Sequence, residues 1–471
     1  MSVQNTKLGA AQIGELLKDC KSVFFIGIGG INMSSLAHIT HNMGYCVSGS
    51  DRSDTEIIRR LKEHGIKVYG EHNANNVHGF DAVVYTVAIS EENPEYRYAI
   101  DNGLPCISRA DYLGYIMTMY SCRVGISGMH GKSSCTSMCA EILLSCGSDP
   151  TVLSGAELPS MSGAYCVGKS ENFVFEACEY MDSFLHFNPT VAVILNIEMD
   201  HVDYFSSMEQ IKASFANYAA LVGKDGTVIY NADDGNVVDA LSTFGGRRIT
   251  FAINDKSAIF TADNVTRTFG KYSFDIIKGG VFFCHVDLRV PGYHNIYNSL
   301  AAAAACVECG IGADEIAHGL GEFCGACRRM EYKGSVRGAD IYDDYAHHPT
   351  EIKATLKGAR ELCEGRLFCV YQPHTYSRTA ALLDEFASAF VSCDRVIFAD
   401  IYAAREINTF GVSSALLAQI TQDKTGVSSG FSDSFEGCAK MLENELCEGD
   451  VALVMGAGDV YKVFDYLNFD D

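Results

Sequence analysis

The sequence predicts an α/β protein of three domains with parallel sheets, in which the first domain is Rossmann-like. Apolar runs alternate with helix-compatible segments along the whole chain, which is typical of parallel α/β architecture. The run VAVILN at 191–196 is continuously apolar, as expected of a strand covered on both faces. Glycine-rich turns follow two of the apolar runs, so each turn places backbone N–H groups at a helix start.

The length of 471 residues indicates roughly three domains, and we place their boundaries at 1–121, 122–328 and 329–471. No twenty-residue uncharged apolar run is present, and the first residues lack the continuous apolar segment of a signal peptide. These features predict a cytoplasmic protein without membrane insertion. We expect a monomer or a weak homodimer.

The charge balance excludes some partners. The chain has 36 basic and 59 acidic residues, which gives a formal net charge of −23. A surface of this sign argues against nucleic-acid binding and against adhesion to an anionic membrane. An anionic substrate must therefore be held by local devices such as glycine loops, helix N-termini, single arginines and metal ions.

The first domain begins with SVFFIGIGGINMSSLAHIT, in which a glycine loop joins an apolar strand to a helix. Gly27, Gly29 and Gly30 allow a phosphate to approach the backbone closely. Asp51 ends the second strand about twenty residues further on, where a Rossmann acid binds a ribose. Asn32 stands in place of the third glycine of the dinucleotide pattern, which weakens that reading and leaves a mononucleotide or UDP ligand open.

The second domain opens with RVGISGMHGKSSCTSMC at 123–139. An apolar strand breaks at Gly128 and resumes as a helix, with Lys132 in the bend. This arrangement predicts a phosphate cradle of the P-loop type, in which Ser133 offers a hydroxyl to the Mg²⁺ of a nucleoside triphosphate. The strict motif fails because Ile126 replaces its first glycine. The alternative is an ordinary glycine turn with a solvated lysine.

A metal site is expected beside this loop. Glu176 follows the apolar NFVF and His201 follows VAVILN, so neighbouring parallel strands bring both towards the phosphate cradle. With the Ser133 hydroxyl they form a shell suited to a hard cation. The alternative is that both belong to solvated loop rims, together with Glu179, Asp182, Glu198, Asp200 and Asp203.

In the third domain, polar residues follow two neighbouring apolar runs. Asp343, Asp344, His347 and His348 cluster at one strand end, and His374 and Arg378 follow the next strand. Such a group orients an anionic substrate or accepts a proton. The alternative is helix capping, with Pro349 at the first helical position.

Four cysteines have the spacing of a zinc site, namely Cys306, Cys309, Cys324 and Cys327. Cys306 and Cys309, however, end the helix-forming run NSLAAAAACVEC. We therefore predict core thiols rather than zinc ligands, and we expect the nineteen cysteines of this cytoplasmic chain to be reduced.

The ordered motifs GIGGINMSSLA, SGSD, GMHGKSS, FEACEY, NIEMDH, HNIYNSLAA, GACRRME, DDYAHHPTEI, QPHTYSRT and MGAGD resemble those of the Mur ligases. The resemblance runs from about Val23 to Val460. It implies a UDP-substrate domain, a central P-loop-type ATPase domain and a C-terminal Rossmann-like domain that closes over the site.

The activity that the resemblance implies is amide formation between the lactyl carboxylate of UDP-N-acetylmuramic acid and L-alanine. ATP, with Mg²⁺ or Mn²⁺, drives the reaction through an acyl phosphate. The chief alternative is a ligase that recycles a murein tripeptide onto the same UDP-sugar. Alternatives from other classes are an NAD-dependent oxidoreductase that uses the Gly27 loop and Asp51, and an inactive sensor that binds a UDP-sugar.

The resemblance also implies residue roles. The catalytic set is Lys132, Glu176 and His201, and the metal ligands are Ser133, Glu176 and His201. The ATP-binding set is Gly128, Met129, His130, Gly131, Lys132, Ser133 and Ser134, with His294, Asn295 and Asn298 at the adenine and Arg328, Arg329 and Asp344 at the ribose and phosphates. Gly27, Gly29, Gly30 and Asp51 face the UDP group, and His348 and Arg378 orient the amino acid.

Overall fold

The computed structural model describes residues 3–53, 55–161, 163–201, 204–268, 270–404 and 406–470. The chain divides into two compact units, Met1–Phe251 with Ala301–Gly312, and Ala252–Leu300 with Ala313–Asp471. Both are built from helices and largely parallel sheets, which confirms the α/β class. The domain boundaries at 121 and 328 stay a prediction.

The first sheet of the first unit is parallel. Its elements are α1 (Ala10–Leu17), β1 (Ser22–Ile26), α2 (Ile31–Asn42), β2 (Cys46–Ser50), α3 (Glu56–Glu63), β3 (Lys67–Tyr69), β4 (Ala82–Tyr85), α4 (Pro94–Asp101), β5 (Cys106–Ser108) and α5 (Arg109–Met117). The strand order is β3-β2-β1-β4-β5, so the order reverses direction at β1. Ligands of open α/β sheets bind at such a reversal, and here the loop that follows β1 begins at Gly27.

The second sheet of this unit carries the phosphate loop. Its elements are β6 (Cys122–Ser127), α6 (Lys132–Ser145), β7 (Thr151–Leu158), β8 (Gly163–Cys166), β9 (Asn172–Glu176), β10 (Val191–Ile194), α7 (Met208–Ala220), β11 (Thr227–Asn231), α8 (Gly235–Ala240) and β12 (Arg247–Ala252). The order is β12-β11-β10-β6-β9-β7-β8, with β8 antiparallel to β7. Every residue of β10 is buried, as its unbroken apolar run predicts.

The register of this sheet gathers its functional residues at one edge. Ser127 at the end of β6 lies opposite Ile194 of β10, and Ile126 lies opposite Glu176 of β9. The segments after all three strands therefore leave the sheet together. Behind them, one continuous core of buried residues underlies both sheets of the unit, with Phe25, Phe175 and Phe215 among its members.

The second unit begins with an antiparallel ribbon of three strands, followed by helices and a further sheet. Its elements are β13 (Phe260–Thr268), β14 (Lys271–Lys278), β15 (Val281–Pro291), α9 (His294–Glu308), α10 (Ala313–Glu322), β16 (Glu331–Val336), β17 (Ala339–Asp344), α11 (Pro349–Arg360), β18 (Leu367–Tyr371), α12 (Tyr376–Ala381), α13 (Leu383–Ala387), β19 (Arg395–Phe398), α14 (Ser414–Thr425), β20 (Ser428–Phe431), α15 (Phe435–Glu445) and β21 (Val451–Met455).

The C-terminal sheet has the order β16-β17-β21-β18-β19-β20, in which only the pair β16 and β17 is antiparallel among the described pairs. Asp344 lies opposite Met455, which lies opposite Tyr371. The polar segments after β17, β18 and β21 therefore meet at one edge, as the sequence predicts for a Rossmann-like domain.

Candidate active site

The phosphate loop is a tight bend between β6 and α6. Gly128 has φ +140° and Gly131 has φ +84°, so both adopt conformations that side chains disfavour. A Cβ at Gly128 would also lie 3.0 Å from the Cβ of Leu195. Helix α6 then starts at Lys132, and the first N–H groups of a helix have no intrahelical acceptor. The bend thus presents N–H donors and a positive helix end to an anion.

Asn196, which follows β10, fixes the conformation of this bend. Its side-chain Oδ1 accepts from the His130 N–H at 2.9 Å, and its Nδ2 donates to the His130 carbonyl at 2.9 Å. Its own carbonyl accepts from the Met129 N–H at 3.3 Å. Three hydrogen bonds therefore tie the middle of the loop to the neighbouring strand end.

Lys132 is the centre of a buried ion cluster. Its Nζ lies 3.0 Å from Glu179 Oε2, and it also donates to the carbonyls of Gly128 at 2.5 Å and Met129 at 3.1 Å. The Glu179 side chain is only 1% exposed, and its Oε1 lies 3.2 Å from His201 Nε2. Because a carboxylate only accepts hydrogen bonds, His201 donates from Nε2.

The charges in this cluster stabilise one another. Burial alone would raise the pKa of Glu179, but the Lys132 ammonium and the hydrogen bond from His201 outweigh it, and the pKa is lowered. Burial likewise opposes the ammonium form of Lys132, but the Glu179 carboxylate raises the pKa of the lysine. Both groups are therefore ionised near neutral pH.

Glu176 lies apart from this pair. Its Oε1 accepts from the Gly155 N–H at 2.5 Å and from Ser154 Oγ at 3.4 Å, so β7 positions it. A Cβ at Gly155 would lie 2.6 Å from Glu176 Oε2, which explains the glycine there. The partner that the structure gives His201 is Glu179 rather than Glu176. The sequence does not reveal this role of Glu179 as the partner of Lys132 and His201, because the residue stands among acidic residues for which solvent exposure is the ordinary expectation.

The donor set beside the loop suits a hard cation only in part. Within the described ranges, no three His, Cys, Asp or Glu side chains converge as a metal site. Glu179 Oε2 is buried in the ion pair with Lys132, and Ser133 is buried at the start of α6. Mg²⁺ in nucleotide sites is bound by one or two carboxylates together with substrate phosphates and water, so the Glu176 carboxylate and the Ser133 hydroxyl fit it.

A cavity of about 650 Å³ joins the two predicted sites of the first unit. Gly27, Gly30 and Asp51 line it from the first sheet, and Glu176 lines it from the second. The residues expected to face UDP and one expected to act in catalysis therefore share one chamber. Gly29 does not appear in its lining, but its N–H donates to Asp51 Oδ2 at 2.9 Å and thereby positions that carboxylate.

Arg109 is a feature of this cavity that the sequence reasoning missed. It is the first residue of α5, directly after β5, and it lines the chamber together with Cys178. Burial lowers the pKa of its guanidinium, although an arginine stays charged at neutral pH. The signal for this residue in the sequence is the position of an arginine directly after a predicted strand.

In the second unit, Asp344 and Arg328 serve local structure. Asp344 is buried and accepts from the Met330 N–H at 2.8 Å and from the Ala346 N–H at 2.8 Å. Arg328 lies 3.3 Å from Asp343 and donates to the Gly456 carbonyl at 2.6 Å. Its guanidinium also lies 5.2 Å from the ring centres of both Tyr345 and Tyr461.

Arg329 differs from Arg328 in its surroundings. Its guanidinium lies 5.2 Å from the Tyr345 ring centre. Its positive charge opposes the burial that raises the pKa of Asp344, and it adds to the burial that lowers the pKa of His294. Burial first and the Arg329 charge second lower the pKa of His294 to about 4, so this histidine is neutral. Of the two arginines, Arg329 is therefore the better placed to act on a ligand near His294.

The helix start beside His294 is ordered by amide groups. Asn295 Nδ2 donates to the Pro291 carbonyl at 2.7 Å, and Asn298 Nδ2 donates to Asn295 Oδ1 at 3.0 Å. Both asparagines are buried. Their roles at an adenine stay predictions.

The residues expected at the amino acid lie at neighbouring strand ends. His348 caps α11, and its Nδ1 accepts from the Thr350 N–H at 3.4 Å. Burial and, after it, the Arg378 charge lower the pKa of both His347 and His374. The rings of these two histidines are 6.1 Å apart. The structure therefore gathers a cation and imidazoles there, while the capping alternative also describes His348 correctly.

The cysteines of the zinc-like pattern have other partners. Cys306 is fully buried in α9 and its Sγ lies 3.9 Å from the Cys139 carbonyl. Cys309 lies in sulfur contact with Cys122. Cys306 is a core thiol packed against α6, as predicted, whereas Cys309 is partly exposed and Cys324 is exposed rather than in the core. The absence of zinc stays a prediction.

No helix in the described part of the chain has the length and hydropathy that crossing a membrane requires.

Comparison with known proteins defines the class. Family models match in three successive segments: the Mur ligase family catalytic domain at residues 22–121, the Mur ligase middle domain at 126–306 and the Mur ligase glutamate ligase domain at 328–458. The chain belongs to the Mur ligase family.

Individual relatives are more specific. UDP-N-acetylmuramate–L-alanine ligase of Acetivibrio thermocellus is 45% identical over 444 residues, which cover 94% of each chain. The crystal structure of UDP-N-acetylmuramate–alanine ligase from Thermotoga maritima has a TM-score of 0.78 at 26% identity and covers 94% of this chain and 98% of its own. A murein peptide ligase from Psychrobacter arcticus has a TM-score of 0.68 at 22% identity over 94% of this chain and 97% of its own, a likeness of fold alone.

Proposed function

We propose that this chain joins L-alanine to UDP-N-acetylmuramic acid with cleavage of ATP to ADP and phosphate, as a step in peptidoglycan precursor synthesis. The observation that carries the proposal is the shared chamber of the first unit. Gly27 and Asp51 line it at one side and Glu176 lines it at the other, next to the segment that holds Glu179 against Lys132. The names of the relatives at about 45% identity supply the substrates.

The reaction needs an acid activated by phosphate. The lactyl carboxylate attacks the γ-phosphorus of ATP, ADP leaves, and the resulting acyl phosphate is attacked by the amine of L-alanine with loss of phosphate. Negative charge on the transferring phosphoryl group must be neutralised throughout. Lys132 is the cation for that task. The Glu179 carboxylate raises the pKa of this lysine and orients its ammonium group through the ion pair.

Mg²⁺, when bound with ATP, neutralises phosphate charge and aligns the γ-phosphoryl group. We assign Ser133, Glu176 and His201 to it from the sequence, and Glu179 orients His201 through the hydrogen bond between them. His201 has φ +50°, a conformation that only the surrounding structure holds in place.

Each unit has residues that we assign to a substrate. In the first unit, Arg109 supplies a buried positive charge to the chamber, which suits the pyrophosphate or carboxylate of the UDP-sugar. In the second unit, Arg378 and His348 are assigned to the carboxylate of L-alanine, and Arg329 is assigned to the nucleotide. ATP and a UDP-sugar are cytoplasmic metabolites, so we place the reaction in the cytoplasm.

A phosphate-release assay tests the proposal. Purified protein is given ATP, Mg²⁺ and UDP-N-acetylmuramic acid, with L-alanine, glycine, L-serine or the tripeptide L-alanyl-γ-D-glutamyl-meso-diaminopimelate in separate reactions. L-Alanine is expected to give the highest kcat/KM, and product mass must rise by one alanine residue. Release that depends on the tripeptide instead identifies the recycling ligase.

The same purified protein also tests the two alternatives from other classes, an inactive UDP-sugar sensor and an NAD-dependent oxidoreductase. An inactive sensor binds the UDP-sugar in calorimetry without releasing phosphate. An oxidoreductase changes NADH absorbance when a substrate is added. Either result with no alanine-dependent phosphate release would contradict the proposed function.

A further inference from the structure

Two cysteines outside the proposed chemistry lie in direct sulfur contact. Cys122 is the first residue of β6, and Cys309 directly follows α9; their Sγ atoms are 3.5 Å apart. Both residues are partly exposed. A disulfide has an S–S distance of about 2.05 Å, so the sulfurs need to approach by only about 1.5 Å.

The backbone around each sulfur is firmly held. The guanidinium of Arg123 donates to the Asn188 carbonyl at 2.6 Å and to the Tyr120 carbonyl at 2.6 Å, which anchors the start of β6. Glu308, next to Cys309, accepts from Arg247 Nη2 at 2.9 Å. The two thiols therefore stay adjacent.

We infer that Cys122 and Cys309 are a modification site, a dithiol that closes reversibly to a disulfide when the protein meets a hydroperoxide or a small disulfide. With a hydroperoxide, the Cys122 thiolate attacks the peroxide oxygen and becomes a sulfenic acid while the O–O bond breaks. Cys309 then attacks the sulfenyl sulfur, the S–S bond forms, and water leaves with the thiol proton. Two sulfur electrons reduce one peroxide bond, which balances the step.

The sulfur contact affects the two thiols in opposite senses. The contact with Cys309 lowers the pKa of Cys122 in spite of burial, whereas the same contact together with burial raises the pKa of Cys309. The thiolate is the reactive form, so these directions favour attack by Cys122.

The position of the pair determines its effect. Cys122 and the phosphate loop lie at opposite ends of β6, a strand of six residues and therefore about 20 Å long. The disulfide would join the start of this strand to the end of α9 without touching Lys132. We expect kcat to stay within about twofold and the Tm of the first unit to rise by several degrees.

Peptide mapping tests the inference on the whole protein. The native protein is treated with hydrogen peroxide or diamide, its remaining thiols are alkylated, and it is digested with trypsin and a glutamate-specific protease. Cleavage after Arg109 and Arg123 isolates Cys122, and cleavage after Glu308 and Glu315 isolates Cys309 from Cys306, the cysteine of α9. The expected product is the cross-linked pair of these two peptides, which dithiothreitol separates.

Single variants provide the control. Cys122→Ser and Cys309→Ser should each abolish the cross-linked peptide, whereas Cys46→Ser, at an exposed thiol elsewhere, should not affect it. The inference is overturned if the wild type gives no such peptide while exposed thiols are oxidised, or if the two sulfurs are found only in bonds to other cysteines. A lower Tm of the cross-linked form would also overturn it, because the fold would then not accommodate the bond.

Discussion

Replacing Glu179 with glutamine removes one charge from the most buried ion pair of the candidate site. The side chain of Glu179 is 1% exposed, and that of Lys132 is 16% exposed. Glutamine has nearly the same shape and keeps an oxygen that can accept from Lys132 or His201. The variant therefore isolates the effect of the carboxylate charge.

The size of the effect follows from the burial. Removing one partner of a buried ion pair costs about 3–5 kcal/mol, because the other charge remains desolvated. Lys132 keeps its contacts with two loop carbonyls, so we expect the lower end, about 3 kcal/mol. For a unit of this size, that corresponds to a fall in Tm of about 6 °C or more. We also expect kcat to fall at least tenfold.

Thermal unfolding of Glu179→Gln checks the stability. The chain has no tryptophan and 24 tyrosines, so far-ultraviolet circular dichroism with tyrosine fluorescence is the suitable measurement. Glu209→Gln, at an exposed carboxylate in the first turn of α7, is the matched control and should lower the Tm by about 1 °C at most. ATP should narrow the gap between variant and wild type, because phosphates compensate the Lys132 charge.

The pH dependence has a defined sign. The folded-state pKa of Glu179 is lowered, so its ionised form adds stability above the unfolded pKa of about 4.3, and this stability is lost as pH falls through the folded value. The difference in Tm between wild type and Glu179→Gln should therefore be constant from pH 7 to about pH 5 and shrink below about pH 4. Equal Tm values at pH 7, with kcat within twofold of wild type, would refute the role given to this ion pair.

Three further outcomes are expected. Lys132→Ala should lower kcat by about two orders of magnitude or more with a smaller effect on the KM for ATP, and a wild-type kcat would contradict the assignment. If Glu176 and His201 share one Mg²⁺ shell, then changing either to alanine should raise the Mg²⁺ concentration for half activity, and the double variant should be clearly non-additive; strict additivity would favour separate roles. Arg328→Lys should mainly lower the Tm, whereas Arg329→Lys should mainly raise the KM for ATP, and the reverse pattern would disprove the division between them.

Much of the fold follows from the sequence because strand periodicity and glycine bends are local signals. The buried run after Pro189 is β10, and the bend from Gly128 to Lys132 has the geometry that its glycines predict. The antiparallel part of the fold is less well predicted. The short β-like pieces TVIY, RRIT and VFFCHVDLRV favour a small antiparallel insertion within 226–290. In the structure, Thr227–Asn231 and Arg247–Ala252 are parallel strands, and the antiparallel ribbon begins only at Phe260.

The site was predicted less completely, because charge partners depend on burial that the sequence does not reveal. Glu179 stands in an acid-rich segment where solvation is the ordinary expectation, and only the packed structure places it under Lys132. Arg328 and Asp344 have the sequence context of ligand-binding residues, yet both have their polar atoms engaged with backbone groups of their own unit. Asp203 lies outside the described residues.

The hydrogen bonds of Asn196 to the phosphate loop have a thermodynamic consequence. Fixing the backbone of one residue costs about 1–2 kcal/mol of conformational entropy, and here that loss occurs during folding rather than during nucleotide capture. The N–H donors of the bend are oriented before a triphosphate binds. The binding free energy therefore loses less to the ordering of the loop, and the affinity is higher. Replacing the Asn196 side chain with a shorter one would remove these hydrogen bonds and let the loop adopt several conformations. The entropy loss of ordering the loop would then occur at each binding event.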